Sequence, residues 1–70
     1  MTTIEANIRV GTLDAAFRLA ARLLGTRAVN IRTADSIGSV WVYVDTDPAH
    51  AEWALAVLRG SPLVASAEAA

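Results

Sequence analysis

The chain reads as an α+β domain of β-α-β-β-α-β order, with four antiparallel strands in one sheet and two helices on one of its faces. Three observations predict this. Apolar and polar residues alternate in Ile4–Val10, Ala28–Thr33 and Ser39–Asp45, the period of a strand with one buried face. Two longer segments, Leu13–Leu24 and Pro48–Arg59, carry their apolar residues at helical spacing. Turn-forming residues separate the segments, among them Gly11, Gly25, Gly38 and the run Gly60-Ser61-Pro62. At 70 residues the chain makes a single domain, residues 1–70.

In the first strand Ile4, Ala6, Ile8 and Val10 share one face, and Glu5, Asn7 and Arg9 share the other. Gly11 ends it. Thr12 can cap the following helix with its hydroxyl, and Asp14 lies near the helix's positive end. Leu13, Ala16, Phe17, Ala20, Leu23 and Leu24 form the stripe expected to be buried. Asp14, Arg18 and Arg22 recur at i, i+4 on the solvated side, where an Asp14–Arg18 pair contributes about 0.3 kcal/mol. Gly25 suits the left-handed conformation that closes a helix.

Val29 and Ile31 are expected to point inward, and Asn30 and Arg32 outward. Ala34-Asp35-Ser36-Ile37-Gly38 reads as the turn of an antiparallel hairpin leading into Ser39–Asp45. Asp47 followed by Pro48 is a helix start, because proline's missing N–H is harmless in the first turn. The second helix is expected to bury Ala51, Ala54, Leu55 and Leu58, and Leu63–Glu68 forms a short final strand. Right-handed crossovers then place both helices on one face, with the first and third strands central. This is the ferredoxin-like fold, and no element remains to cover the second face of the sheet. Trp41 and Tyr43, alternating with Val40, Val42 and Val44, fall in the middle of that open face.

Composition narrows the function. A hydrophobic content of 54% with 19% charged residues is that of a globular chain. There is no cysteine for disulfides or a thiolate metal site, and a single histidine, His50, does not make an ordinary histidine site. No metal or cofactor is expected. Six arginines against seven acidic residues leave a net charge of −1, so no general attraction toward nucleic acid or anionic membrane arises. The first residues lack the basic start and apolar core of a signal peptide, and a cytoplasmic location is expected. His50 lies near Asp45 and Asp47, but no nucleophile motif or phosphate-cradling glycine loop accompanies it, so no catalytic residue is assigned.

Val10-Gly11-Thr12-Leu13, Asn30-Ile31, the alternating valines of Val40–Val44 and the acidic turn Asp45-Thr46-Asp47 together resemble an ACT-type regulatory domain. Arg9 and Val10 stand where that family commonly has an acidic residue and a proline, and the Gly11–Asn30 segment is about one helical turn longer than usual. The resemblance implies a non-enzymatic module that binds a small effector, such as an amino acid, at Gly11, Thr12, Leu13 and Asn30.

A small core without covalent support favours self-association, as a dimer or larger homo-oligomer. Arg9, Arg32, Trp41 and Tyr43 on the open face offer aromatic anchors with arginine at the rim. On the second helix Trp53 lies off the buried stripe, on one flank with His50 and Val57. Two roles are open to it, covering the helix edge against the sheet or anchoring a partner. The alternative to an effector-binding module is an adaptor or inhibitor that grips a target protein through the open face or the second helix. Aromatics on central strands also mimic single-strand RNA-binding sheets, but Glu5 and Asp45 share that face and the basic signature is missing, so nucleic acid is not expected.

Overall fold

A computed structural model describes all 70 residues. The elements are β1 (Thr2–Ile8), α1 (Leu13–Leu24), β2 (Ala28–Ser36), β3 (Ser39–Thr46), α2 (Ala51–Arg59) and β4 (Val64–Ala69), with 3-10 turns at Gly25–Arg27 and Pro48–His50. The strands pair antiparallel in the order β2-β3-β1-β4. Helix α1 packs over β2 and β3, and α2 over β4 and β1. The ferredoxin-like α+β fold expected from the sequence is the fold observed. No helix is long and apolar enough to cross a membrane.

Local chemistry explains the boundaries. Thr12 Oγ1 accepts the Ala15 N–H at 3.1 Å and starts α1, and Asp47 Oδ1 accepts the Ala49 N–H at 2.9 Å ahead of α2. Gly25, at φ +58°, turns the chain out of α1. Fourteen apolar residues form the core: Ile4, Ala6 and Ile8 of β1, Val40, Val42 and Val44 of β3, Ala16, Leu19, Ala20 and Leu24 of α1, Ala54 and Leu58 of α2, and Val64 and Ala67 of β4. None is aromatic. Thr46 is the one buried polar residue, and its hydroxyl donates to the Arg27 carbonyl at 2.9 Å.

Several details differ from the sequence-based expectation. Strand β1 runs Thr2–Ile8, because the Arg9 N–H leaves the ladder for the Leu63 carbonyl at 2.7 Å; Val10 packs on the core from the loop. In α1, Leu13 and Phe17 are exposed, and Leu19 is buried. The helix presents Ala16 and Ala20 to the sheet, and Phe17 lies roughly 90° around the axis from the middle of that face. Val29 is 61% exposed. Ala28 pairs with Thr46 and Asn30 with Asp45, so Val29 is the extra residue of a β-bulge and is ejected from the alternation. The hairpin is tighter than expected, since β2 continues to Ser36 and only Ile37 and Gly38 form the turn. Both have positive φ, +51° and +73°, the signature of a type I′ connection. In α2, Ala54 and Leu58 are buried while Ala51 and Leu55 are half-buried.

Candidate functional site

The sheet face away from the helices is ordered by strand register. Asn30, Asp45 and Thr3 lie side by side on β2, β3 and β1. The next rank is Arg32, Tyr43, Glu5 and Glu68, and the third is Ala34, Trp41, Asn7 and Ser66. Trp41 and Tyr43 are half-buried, neighboured by short side chains in one rank and by charged ones in the other. No element of the chain covers them.

Asp45 organises one end of this face. Its Oδ1 accepts from the Thr3 hydroxyl at 2.7 Å and from Arg32 Nη2 at 3.2 Å, and its Oδ2 accepts from Asn30 Nδ2 at 3.5 Å. The Thr3 hydrogen bond, with smaller contributions from Arg32 and Asn30, outweighs desolvation and holds the carboxyl below the ordinary aspartate range. Arg32 is thereby oriented on the face, its own side chain still 53% exposed. Glu5 and Glu68 stand directly opposite each other on β1 and β4, a like-charge pairing that repels anions from the Tyr43 rank.

Arg9 is exposed beyond the last ladder pair of β1, so it does not join the ranks of the open face. On the helix side, Trp53 is 37% exposed and the Arg27 guanidinium carbon lies 4.4 Å from its ring centroid. That cation–π contact covers one side of the indole and joins α2 to the turn after α1. Val57 is half-buried against the core, and His50 is half-buried at the end of its 3-10 turn. The open-face and α2 candidates therefore form two separate surfaces.

A cavity of about 290 Å³ lies on the flank of α1. Val10, Ala15, Leu19 and Leu63 give it an apolar floor, and Thr12, Asp14, Arg18 and Arg22 a polar rim. The Arg9-to-Leu63 hydrogen bond ties its loop walls together. Arg18 Nε is 3.0 Å from Asp14 Oδ2, whereas Arg22 has no acidic partner. Thr12, expected to contribute to an effector site, is on this rim. Gly11, Thr12 and Leu13 are exposed at the end of the sheet where Ile8 pairs with Val40. Asn30 is in the Thr3–Asp45 rank at the other end, about 17 Å away along the strands at ~3.4 Å per residue. Within one chain these four residues do not form one site.

Three features were not legible in the sequence: the Asp45 hub, the Arg27–Trp53 contact and the cavity. The cavity left one signal, a second arginine at i+4 from Arg18 with only Asp14 to balance the pair. No protein-family model matches the chain, and neither a curated protein nor a solved structure matches it.

Proposed function

We propose that the chain is a non-enzymatic, ACT-like binding module that assembles with further copies of itself through the open sheet face and takes a small effector beside the β1–α1 turn. One observation carries the first half: none of the four aromatic side chains belongs to the buried core. The chain's accessible surface of 4076 Å² is close to the ~4,200 Å² expected of a monomer of this mass. The body is thus about as compact as folded monomers of its size are, and what is unusual is which residues it leaves outside. Aromatics are the side chains that contribute most to interface burial, and two of them stand on a central strand. Arg32, oriented by Asp45, supplies a directed donor at the rim, and a second sheet can pack on such a face at about 10 Å.

The acidic pair Glu5–Glu68 and the engagement of Arg32 by Asp45 disfavour a nucleic-acid backbone as the occupant. An adaptor role is the second reading. It draws on Leu13 and Phe17, exposed one helical turn apart on α1.

The test is the double replacement Trp41→Thr and Tyr43→Thr. Threonine keeps strand preference and leaves the inward valines untouched, so circular dichroism is expected to be unchanged. Light scattering is expected to show at least a dimer for the native chain at micromolar concentration. For the variant, association weakens by about 2 kcal/mol or more per anchor. A native monomer, or an oligomer indifferent to the double replacement, refutes the reading.

A further inference from the structure

We infer that the cavity beside α1 is a binding site for a small aliphatic monocarboxylate, and that it selects this ligand over the corresponding α-amino acid. The inference rests on the effector half of the proposed function and names the chemistry of its ligand; it is independent of self-association.

The floor is apolar and the rim is basic. Val10, Leu19 and Leu63 come from the β1–α1 loop, α1 and the α2–β4 loop, so a ligand's tail meets apolar surface from three segments of the chain. Leu63 is 43% exposed, and a hydrocarbon tail is what its uncovered surface would exclude water with. At ~30 Å³ per water, the cavity holds roughly ten waters, room for a ligand of about eight or nine non-hydrogen atoms.

The rim carries two arginines and one aspartate, a surplus of one positive charge. Asp14 is taken by Arg18 at 3.0 Å, which leaves Arg22 as the cation without a partner. Its guanidinium matches a carboxylate in planar geometry.

The same inventory argues against an ammonium group. The one carboxylate on the rim already shares its Oδ2 with Arg18, the rim keeps a surplus positive charge that repels an ammonium, and the remaining lining offers it only hydrocarbon. An α-amino acid therefore either shares Asp14 with Arg18 beside that surplus charge or loses solvation without compensation. A carboxylate lacking the amino group does neither.

The experiment is a titration of the ¹⁵N-labelled full chain with 4-methylpentanoate, leucine and acetate, followed by amide shifts. Saturable shifts are expected for 4-methylpentanoate at the amides of Val10, Leu19, Arg22 and Leu63 in the millimolar range. Acetate, with charge but no tail, is expected to give none, and leucine is expected to bind at least about tenfold more weakly. Arg22→Gln, an exposed replacement, is expected to weaken the carboxylate about tenfold, the loss of one charge-assisted hydrogen bond. Arg9→Gln, which removes the same charge from a side chain outside the cavity and keeps the backbone N–H that binds the Leu63 carbonyl, is expected to leave affinity unchanged. Leucine binding as well as the carboxylate overturns this inference while the effector reading stands. No saturable shift with either ligand overturns both. Saturation by acetate, or an equal loss in Arg9→Gln, reduces the effect to diffuse charge and overturns the site.

Discussion

Replacing Ile37 is expected to stabilise the protein. Ile37 sits at the first position of the β2–β3 turn with φ +51°, and its side chain is fully exposed. An L-residue in the left-handed region is strained by ~1–2 kcal/mol, and a β-branched one is a genuine outlier there. Asparagine adopts this conformation readily and is favoured in type I′ turns. Because the isoleucine side chain makes no burial that could be lost, Ile37→Asn is expected to raise stability by ~1 kcal/mol. For a domain of this size that corresponds to an increase in Tm of about 4–8 °C. Ile37→Gly relieves the same strain but frees the unfolded chain, so its gain is smaller. Thermal and urea unfolding followed by far-ultraviolet circular dichroism, at several protein concentrations, measures both. An unchanged or lowered Tm for Ile37→Asn refutes the strain argument. A loss that deepens with protein concentration would mean that a second chain covers Ile37.

Thr46→Val keeps the shape of a buried side chain but removes the donor to the Arg27 carbonyl; the variant is expected to lose ~1–2 kcal/mol in urea unfolding, and a neutral result would show that the hydrogen bond contributes nothing net. Thr3→Val removes the largest influence on Asp45, so the Asp45 pKa, followed by carboxyl-carbon NMR, is expected to rise toward the ordinary value of 3.8. Because the folded pKa is lowered, the Asp45 contribution to stability is present above the unfolded value and is lost as pH falls through the folded one. The variant's deficit at neutral pH is therefore expected to shrink on acidification below that range, and a deficit constant down to pH 2 would refute the assignment.

Much of the fold was legible because its signals are local. Thr12 and Asp47-Pro48 mark helix starts by their own chemistry, and alternation in Ile4–Ile8 and Val40–Val44 matches the buried faces of the two central strands. Val29 defeats the same logic, since a bulge adds one residue without altering the apolar content that alternation reads. Phe17 was misplaced because a helical wheel ranks residues by polarity, whereas the sheet selects the small Ala16 and Ala20 for close approach. The position of Trp41 and Tyr43 on the uncovered face followed from topology alone. The Asp45 hub did not, because Thr3, Asn30 and Arg32 meet that carboxylate only through the pairing of three strands. The cavity needed Leu63 brought beside Val10, a loop-to-loop contact with no periodic signature.

A core built only from aliphatic side chains and alanine also sets what light can report about this protein. Neither indole is fully shielded in the folded chain: Trp41 is half-buried on the open sheet face, and Trp53 is partly exposed beneath Arg27. Their emission on unfolding is expected to change less than that of a tryptophan drawn out of a packed interior. The two chromophores instead watch two different surfaces. A blue shift on concentration that disappears in a Trp41→Phe variant tracks the sheet face alone, and quenching altered by Arg27→Ala tracks the α2 corner. The intrinsic fluorescence of the chain is thus a gauge of encounters with other molecules more than of its folding.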